Sequence, residues 1–550
     1  MRVGIDVGGT HTDAVLMAGS TVLAEVKAPT TADVTGGIVA ALRRLLAGAV
    51  DRPAVDRPAV DRPAVDRPAV DRRSIDAVMI GTTHFTNALV TGRRLAPTGV
   101  VRLALPATAA LPPLVDWPDR LIDAIRPSAF LCHGGHEFDG RPISPLRPDE
   151  LKRVAAALAG KEIGTVAISS VFSPVNAELE EAAADILLAE LPHLHISLSH
   201  QIGRIGLLER ENATIVNACL RELADEIVDA FAQALATVGV NAPLFLSQND
   251  GTLMDSEHTR RYPVRTFASG PTNSMRGAAF LSELSDCAVV DIGGTTTDVG
   301  VLTGGYPRQA SGEVDIGGVR TNFRMPDVLS IGLGGGSRVT RGPAPRVGPD
   351  SVGFQLTEQS LVFGGDVLTA TDLAVAAGLA DIGDPSLVRG LDRDLVRRGV
   401  AWMATAVADL VERMRISAAP LPVVIVGGGS VLMPSDLPGV PSTHRPEHHA
   451  VANAIGAAIG QVGGDVDRLF AITAAVTREE VLEQARAEAI ERAVSAGAAP
   501  GSVRIVDVNE VHVPYLPGNA VRVRVKAVGD LVLPSAASVD DEQEQQWATS

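Results

Sequence analysis

One short stretch of this 550-residue chain occurs twice. The sequence Asp-Val-Gly-Gly-Thr-His-Thr-Asp at residues 6–13 returns as Asp-Ile-Gly-Gly-Thr-Thr-Thr-Asp at residues 291–298, and six of the eight positions are identical. Each copy lies between two predicted strands and is followed by a second glycine-containing turn, at residues 19–20 and 304–305. A single Gly-Gly after a strand is often only a bulge or turn, but two matching copies indicate an internal duplication of a β-hairpin.

The residue types of the two hairpins suit the binding of a polyphosphate. Glycines allow backbone amides to approach phosphate oxygens where a Cβ would clash, and threonine hydroxyls add hydrogen bonds. The leading carboxylates, Asp6 and Asp291, are hard oxygen ligands of the kind that Mg²⁺ prefers. We predict that the hairpins hold a nucleotide from both sides of a cleft, with Asp13 or Asp298 orienting water or substrate. The predicted phosphate-binding residues are Gly8, Gly9, Thr10, Thr12, Gly293, Gly294, Thr295 and Thr296.

A third glycine-rich turn follows the predicted strand at residues 423–426. Its residues are Gly427, Gly428, Gly429 and Ser430. A turn of this composition lets adenosine lie against the backbone, although in isolation it is a common way to end a strand. A further glycine run at residues 332–337 either lines the same cleft or serves as a hinge, and the sequence leaves both interpretations open.

Alternating strand and helix patterns place the chain in the α/β class. Residues 3–46 read as three strands and a helix, a second β-β unit opens at residue 287, and residues 209–238 read as one long amphipathic helical stretch. Residues 51–73 repeat Asp-Arg-Pro-Ala-Val; a proline at every fifth position forbids a helix, which favours an expanded surface loop. The predicted division is an N-terminal lobe at 1–200, a core lobe at 201–480, a C-terminal α/β segment at 481–539 and a frayed tail at 540–550.

Composition narrows the class of protein. The chain has 48 Lys and Arg against 65 Asp and Glu, a net charge of −17, which argues against nucleic acid as a principal partner. No window of 18 apolar residues occurs, so we expect no membrane span. Three scattered cysteines form neither a disulfide framework nor a CxxC metal site, and Asp6 interrupts any signal-peptide core. These features predict a cytoplasmic protein.

Several ordered motifs resemble the hydantoinase/oxoprolinase family, A-subunit type, within the actin, sugar-kinase and heat-shock-chaperone ATPase superfamily. The matching stretches are residues 4–13, 81–88, 134–138, 209–220, 269–271, 290–299, 331–337 and 515–518. The resemblance implies two ribonuclease-H-like lobes with a nucleotide cleft between them, and ATP with Mg²⁺. It further implies hydrolysis of a cyclic amide, such as a hydantoin, 5-oxoproline or a related lactam, by phosphorylation of the amide oxygen and attack by water. Many relatives act with a second, separately encoded subunit, so we expect an oligomer.

The chain departs from the family pattern in two places. Residues 269–274 read Ser-Gly-Pro-Thr-Asn-Ser where the family commonly has Ser-Gly-Pro-Ala-Gly-Gly, and the region 338–360 lacks a longer proline- and cysteine-containing segment. Loss of two glycines changes how closely the backbone can approach a ligand. These departures describe a shorter branch of the family and bear more on the substrate than on the nucleotide.

Candidate substrate-side residues come from three other motifs. Thr82 and Thr83 follow a predicted strand and precede a helix, where their amides would bind an anion or serve as ordinary helix capping, and Asn87 lies one turn further along. A glycine-containing loop carries His136, which we assign to substrate contact or to structure rather than to a zinc site. Two further candidates for recognition of a polar substrate are Arg320 and Asn322.

Two other functions share the same ATP machinery. A small-molecule kinase would leave a stable phosphorylated product, and an ATP-driven regulator of a protein partner would respond to that protein and be indifferent to lactams. The residues do not separate these functions from hydrolysis, because the nucleotide site is common to all three. The family resemblance favours the hydrolase.

Overall fold

The computed structural model describes residues 1–8, 11–29, 35–48, 70–310, 312–342, 345–472, 476–513 and 520–533. Gly9, Thr10, nearly all of the pentapeptide repeat, residues 515–518 and the tail at 540–550 lie outside these ranges. The predictions made for those segments therefore stay predictions.

The described residues contain 23 strands. The first ten are β1 Arg2–Val7, β2 His11–Ala18, β3 Thr21–Pro29, β4 Ala77–Thr82, β5 Thr98–Leu105, β6 Ser128–His133, β7 Thr165–Ser170, β8 His195–Leu198, β9 Leu244–Ser247 and β10 Thr252–Asp255. The next eight are β11 Cys287–Ile292, β12 Thr297–Thr303, β13 Tyr306–Pro307, β14 Val314–Ile316, β15 Val319–Thr321, β16 Val328–Ile331, β17 Ser337–Thr340 and β18 Arg346–Ser351. The last five are β19 Val423–Val426, β20 Thr443–His444, β21 Gln461–Ala471, β22 Arg504–His512 and β23 Ala520–Gly529.

Helices connect these strands. The first seven are α1 Gly36–Leu46, α2 His84–Thr91, α3 Asp119–Ile125, α4 Pro148–Ala159, α5 Glu178–Glu190, α6 Leu207–Cys219 and α7 Arg221–Thr237. The others are α8 Ser256–Arg261, α9 Ser269–Ser282, α10 Leu356–Gln359, α11 Ala370–Ala376, α12 Arg393–Met414, α13 Ala452–Ala458 and α14 Arg478–Ser495. The stretch predicted as one helix at 209–238 is thus two helices. The break lies at Leu220, where the carbonyl of Cys219 accepts a hydrogen bond from the amide of Ala96.

The first lobe is built on a nine-stranded sheet in the order β22-β23-β21-β10-β9-β4-β1-β2-β3. Strand β1 runs antiparallel to β2 and parallel to β4, and β9 continues the parallel direction beyond β4. Strands β1 and β4 are buried along nearly their whole length, as expected for parallel strands covered on both faces. The carboxyl ends of β1, β4 and β9 therefore meet at one edge of this sheet.

The second lobe is built on a six-stranded sheet, in which β13-β12-β11-β19-β20 lie side by side and β16 also pairs with β12. Its strands repeat five strands of the first sheet, β3-β2-β1-β4-β9, in the same order. In each of these two sets of five strands, the first three in sequence pair antiparallel and the last two pair parallel. This is the ribonuclease-H-like arrangement, and it confirms the predicted α/β class with two such lobes.

The sheets cross the predicted domain boundaries. Residues 98–198 carry a separate four-stranded parallel sheet, β6-β5-β7-β8, which the sequence analysis did not separate from the N-terminal lobe. Strands β21, β22 and β23 extend the first sheet through β10, although they lie far along the chain. Hydrogen bonding between strands therefore joins parts of all three predicted segments, and the division at 201 and 481 stays a prediction.

Helices α9 and α13 lie against each other between the two sheets. A Cβ on Gly277 would come within 1.9 Å of the carbonyl oxygen of Ala452, and a Cβ on Gly456 within 1.8 Å of that of Asn273, so only glycine allows this approach. Helix α9 packs on strands of the second sheet, and α13 packs on β2 of the first. The pair joins the lobes and brings α9 to the ends of both central strands.

Candidate functional site

The duplicated sequence forms equivalent hairpins in the two lobes. Asp6 on β1 lies directly opposite Asp13 on β2, and Asp291 on β11 lies directly opposite Asp298 on β12. The side chains of Asp6 and Asp13 are buried, and those of Asp291 and Asp298 are partly buried. The register of each hairpin therefore brings the two aspartates of each motif together, one pair in each lobe.

The turns of the two hairpins are closed by the same backbone hydrogen bond. The amide of Gly8 donates to the carbonyl of His11 at 3.0 Å, and the amide of Gly293 donates to the carbonyl of Thr296 at 2.9 Å. Thr12 is buried on β2 beside this turn. The turn of the second hairpin is described completely, including Gly294 and Thr295, whereas Gly9 and Thr10 lie outside the described residues.

In the first lobe, both carboxylates are held by groups distant in sequence. The side-chain amide of Asn453, on α13, donates to Oδ2 of Asp6 and to Oδ2 of Asp13, each at 3.0 Å. Lys27 lies on β3, directly across from Asp13 on β2, and its amine is 2.7 Å from Oδ1 of Asp13. The same amine donates to the carbonyl of Ala450 at 2.9 Å. Asn453 thus fixes the two carboxylates relative to each other and to the helix between the lobes.

In the second lobe, serine hydroxyls hold the carboxylates. Ser274 donates to Oδ2 of Asp291, and Ser330, on the neighbouring strand β16, donates to Oδ1 of Asp298. Ser274 is one of the residues that replace the glycines common in the family pattern. The residue at which this chain departs from the family pattern is therefore in direct contact with Asp291, a predicted metal ligand.

The electrostatics of the site are dominated by buried negative charge. Burial, followed by the charges of Asp13 and Asp291, raises the pKa of Asp6 to about 7. Burial also raises the pKa of Asp291, and it raises that of Asp298 to about 6, with the charge of Asp291 adding to the effect. The amine of Lys27 lowers the pKa of both Asp6 and Asp291. A cation bound among these carboxylates would relieve their repulsion.

The carboxylate oxygens of the site suit a hard cation that takes its remaining ligands from water and phosphate. Among the residues described, no group of three or more His, Cys, Asp or Glu side chains is arranged to hold a metal ion. Mg²⁺ needs no such cage, because it is usually bound by one or two carboxylates together with waters and substrate phosphates. Asp6 and Asp291, one from each lobe, match that requirement.

Glycine provides the space that the leading carboxylates occupy. A Cβ on Gly81, beside Asp6 in the sheet, would lie 2.4 Å from Oδ1 of Asp6 and 2.5 Å from the side-chain nitrogen of Asn273. In the second lobe, Gly427 has a φ of +86°, and a Cβ there would lie 2.3 Å from Oδ1 of Asp291. Gly81 lies within β4, and Gly427 follows β19, the equivalent strand of the second lobe. Each glycine leaves room for the leading aspartate of its lobe.

The turn predicted to contact adenosine lies between the two lobes. The amide of Gly429 donates to the carbonyl of Ile292 at 2.7 Å, which fastens the turn to the second hairpin. A Cβ on Gly428 would lie 3.4 Å from Cε of Lys27, which belongs to the first lobe. The hydroxyl of Ser430 is buried and has no hydrogen-bond partner among the described residues. The position of this turn and the hydroxyl of Ser430 are compatible with binding of adenosine, which stays a prediction.

The glycine run at 332–337 packs on the second hairpin. The amide of Gly335 donates to the carbonyl of Gly293 at 3.1 Å, and the amide of Gly336 donates to that of Gly294 at 2.8 Å. A Cβ on Gly334 would lie 2.5 Å from the backbone nitrogen of Thr295. Between the two readings of this run, its hydrogen bonds favour a wall of the cleft.

Thr82, Thr83 and Asn87 lie at the same edge of the first sheet as Asp6. The Thr82 hydroxyl lies 2.6 Å from Nδ1 of His84, and the hydroxyl of Thr83 donates to the carbonyl of Val7 at 3.3 Å. Asn87 donates to the Thr83 hydroxyl at 3.3 Å, and Thr83 makes no side-chain cap to α2. These residues are near the hairpin, and their role in substrate binding stays a prediction.

His136 lies in the loop that follows β6 of the separate parallel sheet. Its backbone amide donates to the carbonyl of Val171 at 3.0 Å, and its imidazole is buried, which lowers its pKa. Gly134 and Gly135 on its N-terminal side pack against Leu103. The hydrogen bonds and packing that fix this loop come from its own sheet.

Arg320 and Asn322 fasten a hairpin to α6. Arg320 lies 3.1 Å from a carboxylate oxygen of Glu209, and its carbonyl accepts from Asn212. The Asn322 side chain accepts from the amide of Arg204 at 3.0 Å and donates to the carbonyl of Gly206 at 3.2 Å. Both ends of the Asn322 amide are therefore used within the protein, and substrate contact by this pair stays a proposal without direct support.

Sequence reasoning missed Lys27, Asn453 and Ser274. Lys27 and Asn453 stand in none of the motifs that the sequence analysis identifies. The one usable signal was at Ser274, where polar residues stand in place of the glycines of the family pattern. Contacts between residues 447 positions apart, such as Asn453 to Asp6, leave no local mark in the sequence.

Two family descriptions match the chain. Residues 2–191 match the hydantoinase/oxoprolinase N-terminal region, and residues 210–414 match hydantoinase/oxoprolinase. These regions together cover most of the chain. The chain belongs to the hydantoinase/oxoprolinase family.

Curated relatives match part of the chain. It is 27% identical over 250 residues to the caprolactamase subunit alpha of Pseudomonas jessenii, covering 44% of this chain and 36% of the relative. It is also 27% identical over 254 residues to the acetophenone carboxylase gamma subunit of Aromatoleum aromaticum, covering 44% of this chain and 34% of the relative. The matched region thus spans about a third of the length of each of these two proteins.

A solved structure shares the fold over nearly the whole chain. The ATP-dependent caprolactamase from Pseudomonas jessenii aligns with a TM-score of 0.75 and 18% sequence identity, covering 97% of this chain and 88% of that one. At this level of identity the likeness establishes the fold. Within the part of the chain that the structure describes, none of the helices combines the length and apolar character needed to span a bilayer.

Proposed function

We propose that this member of the hydantoinase/oxoprolinase family uses ATP to open a cyclic amide. The observation that carries the proposal is the pair of equivalent hairpins that bring Asp6, Asp13, Asp291 and Asp298 to the junction of two lobes. Paired acidic hairpins suit phosphoryl transfer, where positioning and charge neutralisation do most of the work. The similarity to a caprolactamase subunit supports the choice of a lactam as substrate.

The nucleotide would lie between the hairpins with its phosphates against their turns. The predicted contacts are the turn residues 8–12 and 293–296 for the phosphates and the turn 427–430 for adenosine. Asp6 and Asp291 would hold Mg²⁺, which when bound neutralises charge on the phosphates and on these carboxylates. Gly81 and Gly427 keep the two carboxylates in place by leaving space beside them.

The reaction consumes one ATP and two waters. The lactam oxygen forms a bond to the γ-phosphorus while the bond to ADP breaks, which makes the ring carbon an electrophile. Water adds to that carbon, and the carbon–nitrogen bond breaks as the ring nitrogen takes a proton, leaving an amine and an acyl phosphate. A second water hydrolyses the acyl phosphate to a carboxylate and inorganic phosphate.

Of the two aspartates that are not assigned to Mg²⁺, Asp298 has the chemistry of a base for the attacking water. Its pKa of about 6 lies near neutral pH, where a general base combines basicity with the ionised state. Asp13, by contrast, is held by Lys27 and Asn453 and serves to fix the geometry of the first lobe. Thr82, Thr83 and Asn87 remain the proposed contacts to the substrate at the neighbouring strand end.

We also propose a cytoplasmic location and action with a second subunit. Cys132, Cys219 and Cys287 are free and buried, which suits a reducing compartment. The two curated relatives carry subunit names, alpha in the caprolactamase and gamma in the acetophenone carboxylase. In this arrangement, this chain would bind and cleave ATP, and a partner chain would be needed to complete the reaction.

A carboxylation is the second candidate. The match to an acetophenone carboxylase subunit has the same identity and nearly the same extent as the match to the caprolactamase subunit. In a carboxylation, the same phosphoryl transfer would place the γ-phosphate on the oxygen of a ketone as ADP leaves and a proton is lost from the neighbouring carbon. Transfer of that phosphate to bicarbonate would release the enolate and give carboxyphosphate, which breaks down to CO₂ and inorganic phosphate, and the enolate carbon would form its bond to CO₂. The nucleotide site would be unchanged.

Release of inorganic phosphate from Mg-ATP tests the proposal. We expect release to be stimulated by one class among hydantoins, 5-oxoproline and simple lactams, with the purified chain or with its partner subunit added. Stimulation only by a ketone with bicarbonate would select the carboxylase. Release that no small molecule changes would contradict both.

A further inference from the structure

A cavity opens at the same edge of the first sheet as Asp6. It has a volume of about 440 Å³, and residues 248–250, which follow β9, form part of its wall. Strands β1, β4 and β9 run parallel and adjacent, so the end of β9 lies two strand spacings, roughly 10 Å, from the end of β1. The cavity is therefore a neighbour of the proposed nucleotide site and distinct from it.

Two arginines in this wall, Arg204 and Arg324, have guanidinium nitrogens without a close acceptor. Arg522 takes both oxygens of Asp467, each at 2.7 Å. Arg204 reaches the same carboxylate only at 3.8 Å and Arg324 only at 3.7 Å, distances too long for hydrogen bonds. At these distances Asp467 does not satisfy Nε of Arg204 or Nη2 of Arg324.

The unsatisfied atoms are buried. Nε and Nη2 of Arg204 and Nη2 of Arg324 are shielded from solvent and have no hydrogen-bond partner among the described residues. Burial, and next the charge of Arg324, lowers the pKa of Arg204 to about 10, which leaves it protonated at neutral pH. A buried donor without an acceptor destabilises the folded state, more so when it is charged. An anion in the cavity would provide the acceptors.

The other acids near the cavity have partners of their own. Asp250 lies 3.0 Å from the amine of Lys526, and Asp465 lies 3.1 Å from Nη1 of Arg324, the end of that group that is satisfied. A further lining residue, Arg492, donates to the carbonyl of Asp465 and to Glu488, each at 2.6 Å. Among the described residues that line the cavity, the buried side-chain donors without a partner therefore belong to Arg204 and Arg324.

We propose that this cavity binds a small organic carboxylate, with its oxygens on Arg204 and Arg324. The planar guanidinium fork matches a carboxylate in two parallel hydrogen bonds. Ile202, Tyr262 and Phe323 line other parts of the cavity and would contact the organic body of such a ligand. The proposal concerns binding alone and does not require the proposed cyclic-amide reaction.

The wall of the cavity is connected to the nucleotide site. Asn249 donates through its side chain to the carbonyl of Arg324 at 2.6 Å, and its own carbonyl accepts from the hydroxyl of Thr272 at 3.0 Å. Thr272 lies on α9, immediately before Asn273 and Ser274, which lie beside Asp6 and Asp291 respectively. A ligand in this cavity would be either the substrate of the reaction or a regulator. Measuring whether the bound ligand is consumed distinguishes these two roles.

Calorimetric titration without nucleotide tests the site. The probes are 5-oxoproline and 2-pyrrolidinone, which differ only by a carboxylate, and glutarate, an open-chain dicarboxylate. We expect saturable binding of at least one of the two acids and none of 2-pyrrolidinone. Consumption of the bound acid with Mg-ATP would assign it as substrate, and its persistence would assign it as regulator. Failure of both acids to bind the wild-type chain would overturn the proposal.

Three variants assign the binding to the arginines. Arg204→Gln and Arg324→Gln each remove a charge-assisted donor and should weaken binding by at least about tenfold. Arg492→Gln, in the same cavity with its donors already used, should leave the affinity within about threefold. Affinity unchanged in both Arg204→Gln and Arg324→Gln would contradict the assignment, even if the acid binds elsewhere.

Thermal unfolding separates this role from a purely structural one. Without ligand, Arg204→Gln removes an unsatisfied buried charge, so its Tm should equal or exceed that of the wild type, whereas a structural arginine would lower Tm when lost. With saturating acid, the wild type should gain stability and Arg204→Gln should not. If Arg204→Gln does not fold, the role is structural and the proposal fails for that residue, and Arg324→Gln then decides for the pair.

Discussion

The charge of Asp291 in one lobe raises the pKa of Asp6 in the other. The two residues occupy the same position in two copies of one hairpin, and each lies opposite a second aspartate in its own lobe. Like charges act on each other in this way only at short range in a buried setting. Each lobe thus supplies half of an acidic centre that is unfavourable alone and suited to a cation.

Loss of the second-lobe carboxylate should abolish nucleotide turnover. Asp291→Ala removes one of the two proposed magnesium ligands, and we expect phosphate release to fall by at least about 100-fold with the fold intact. Circular dichroism and Tm report the fold. Asp286→Ala, an exposed aspartate one residue before β11, is the matched control and should retain activity. Full activity in Asp291→Ala would remove the basis for the assigned site.

Asp6 should make the metal-free protein less stable as the pH rises. Its pKa is raised from 3.8 to about 7, so the folded state holds a proton that the unfolded state loses, and stability falls between pH 3.8 and about pH 7. Asp6→Asn cannot ionise and should escape this loss. In EDTA, its Tm should exceed that of the wild type by more at pH 8 than at pH 5. An equal difference at both pH values would show that Asp6 does not titrate in this window.

Ser274 should tune the ionisation of Asp291. Its hydrogen bond lowers the pKa of that carboxyl, so Ser274→Ala should raise the pKa and move the acidic limb of the pH–rate profile to higher pH. Ser282→Ala is the control, because Ser282 lies on the same helix and donates only to the carbonyl of Ala278. A uniform loss of rate without a shift in pH would indicate a packing effect instead.

The space beside Asp6 should be essential. Gly81→Ala places a methyl group 2.4 Å from the carboxylate oxygen, which must then move, and we expect turnover to fall at least about tenfold. The cost in stability should stay at about 1–3 kcal/mol, as for other overpacked sites. Gly390→Ala, where a Cβ meets nothing within 4 Å, should change neither quantity. Wild-type turnover in Gly81→Ala would show that the position of Asp6 is not critical.

Much of the fold could be predicted because its information is local. The repeat of residues 6–13 at 291–298 marks both hairpins, and the runs of buried apolar residues mark β1, β4, β11 and β19. The separate sheet at 98–198 and the extension of the first sheet by β21 to β23 were missed. Both depend on which strands pair, and pairing between strands far apart in the chain leaves no periodic signal.

The candidate site likewise contains residues that could be predicted from local sequence and residues that could not. The four aspartates and the glycine turns stand in recognisable motifs, whereas Lys27 and Asn453 act only because β3 and α13 are brought to the hairpin by tertiary packing. Arg320 and Asn322 stay predicted contacts to a polar substrate. In the structure their partners are Glu209, Arg204 and other groups of the protein itself.

The central claim is that ATP cleavage and ring opening are one coupled reaction. The most direct test measures ADP and the ring-opened amino acid in the same reaction mixture, for the best lactam found, with Asp291→Ala alongside. We predict one ADP for each ring opened, no ring opening without ATP, and neither product from Asp291→Ala. Ring opening that proceeds without ATP, or ADP formed at the same rate with and without the lactam, would contradict the account.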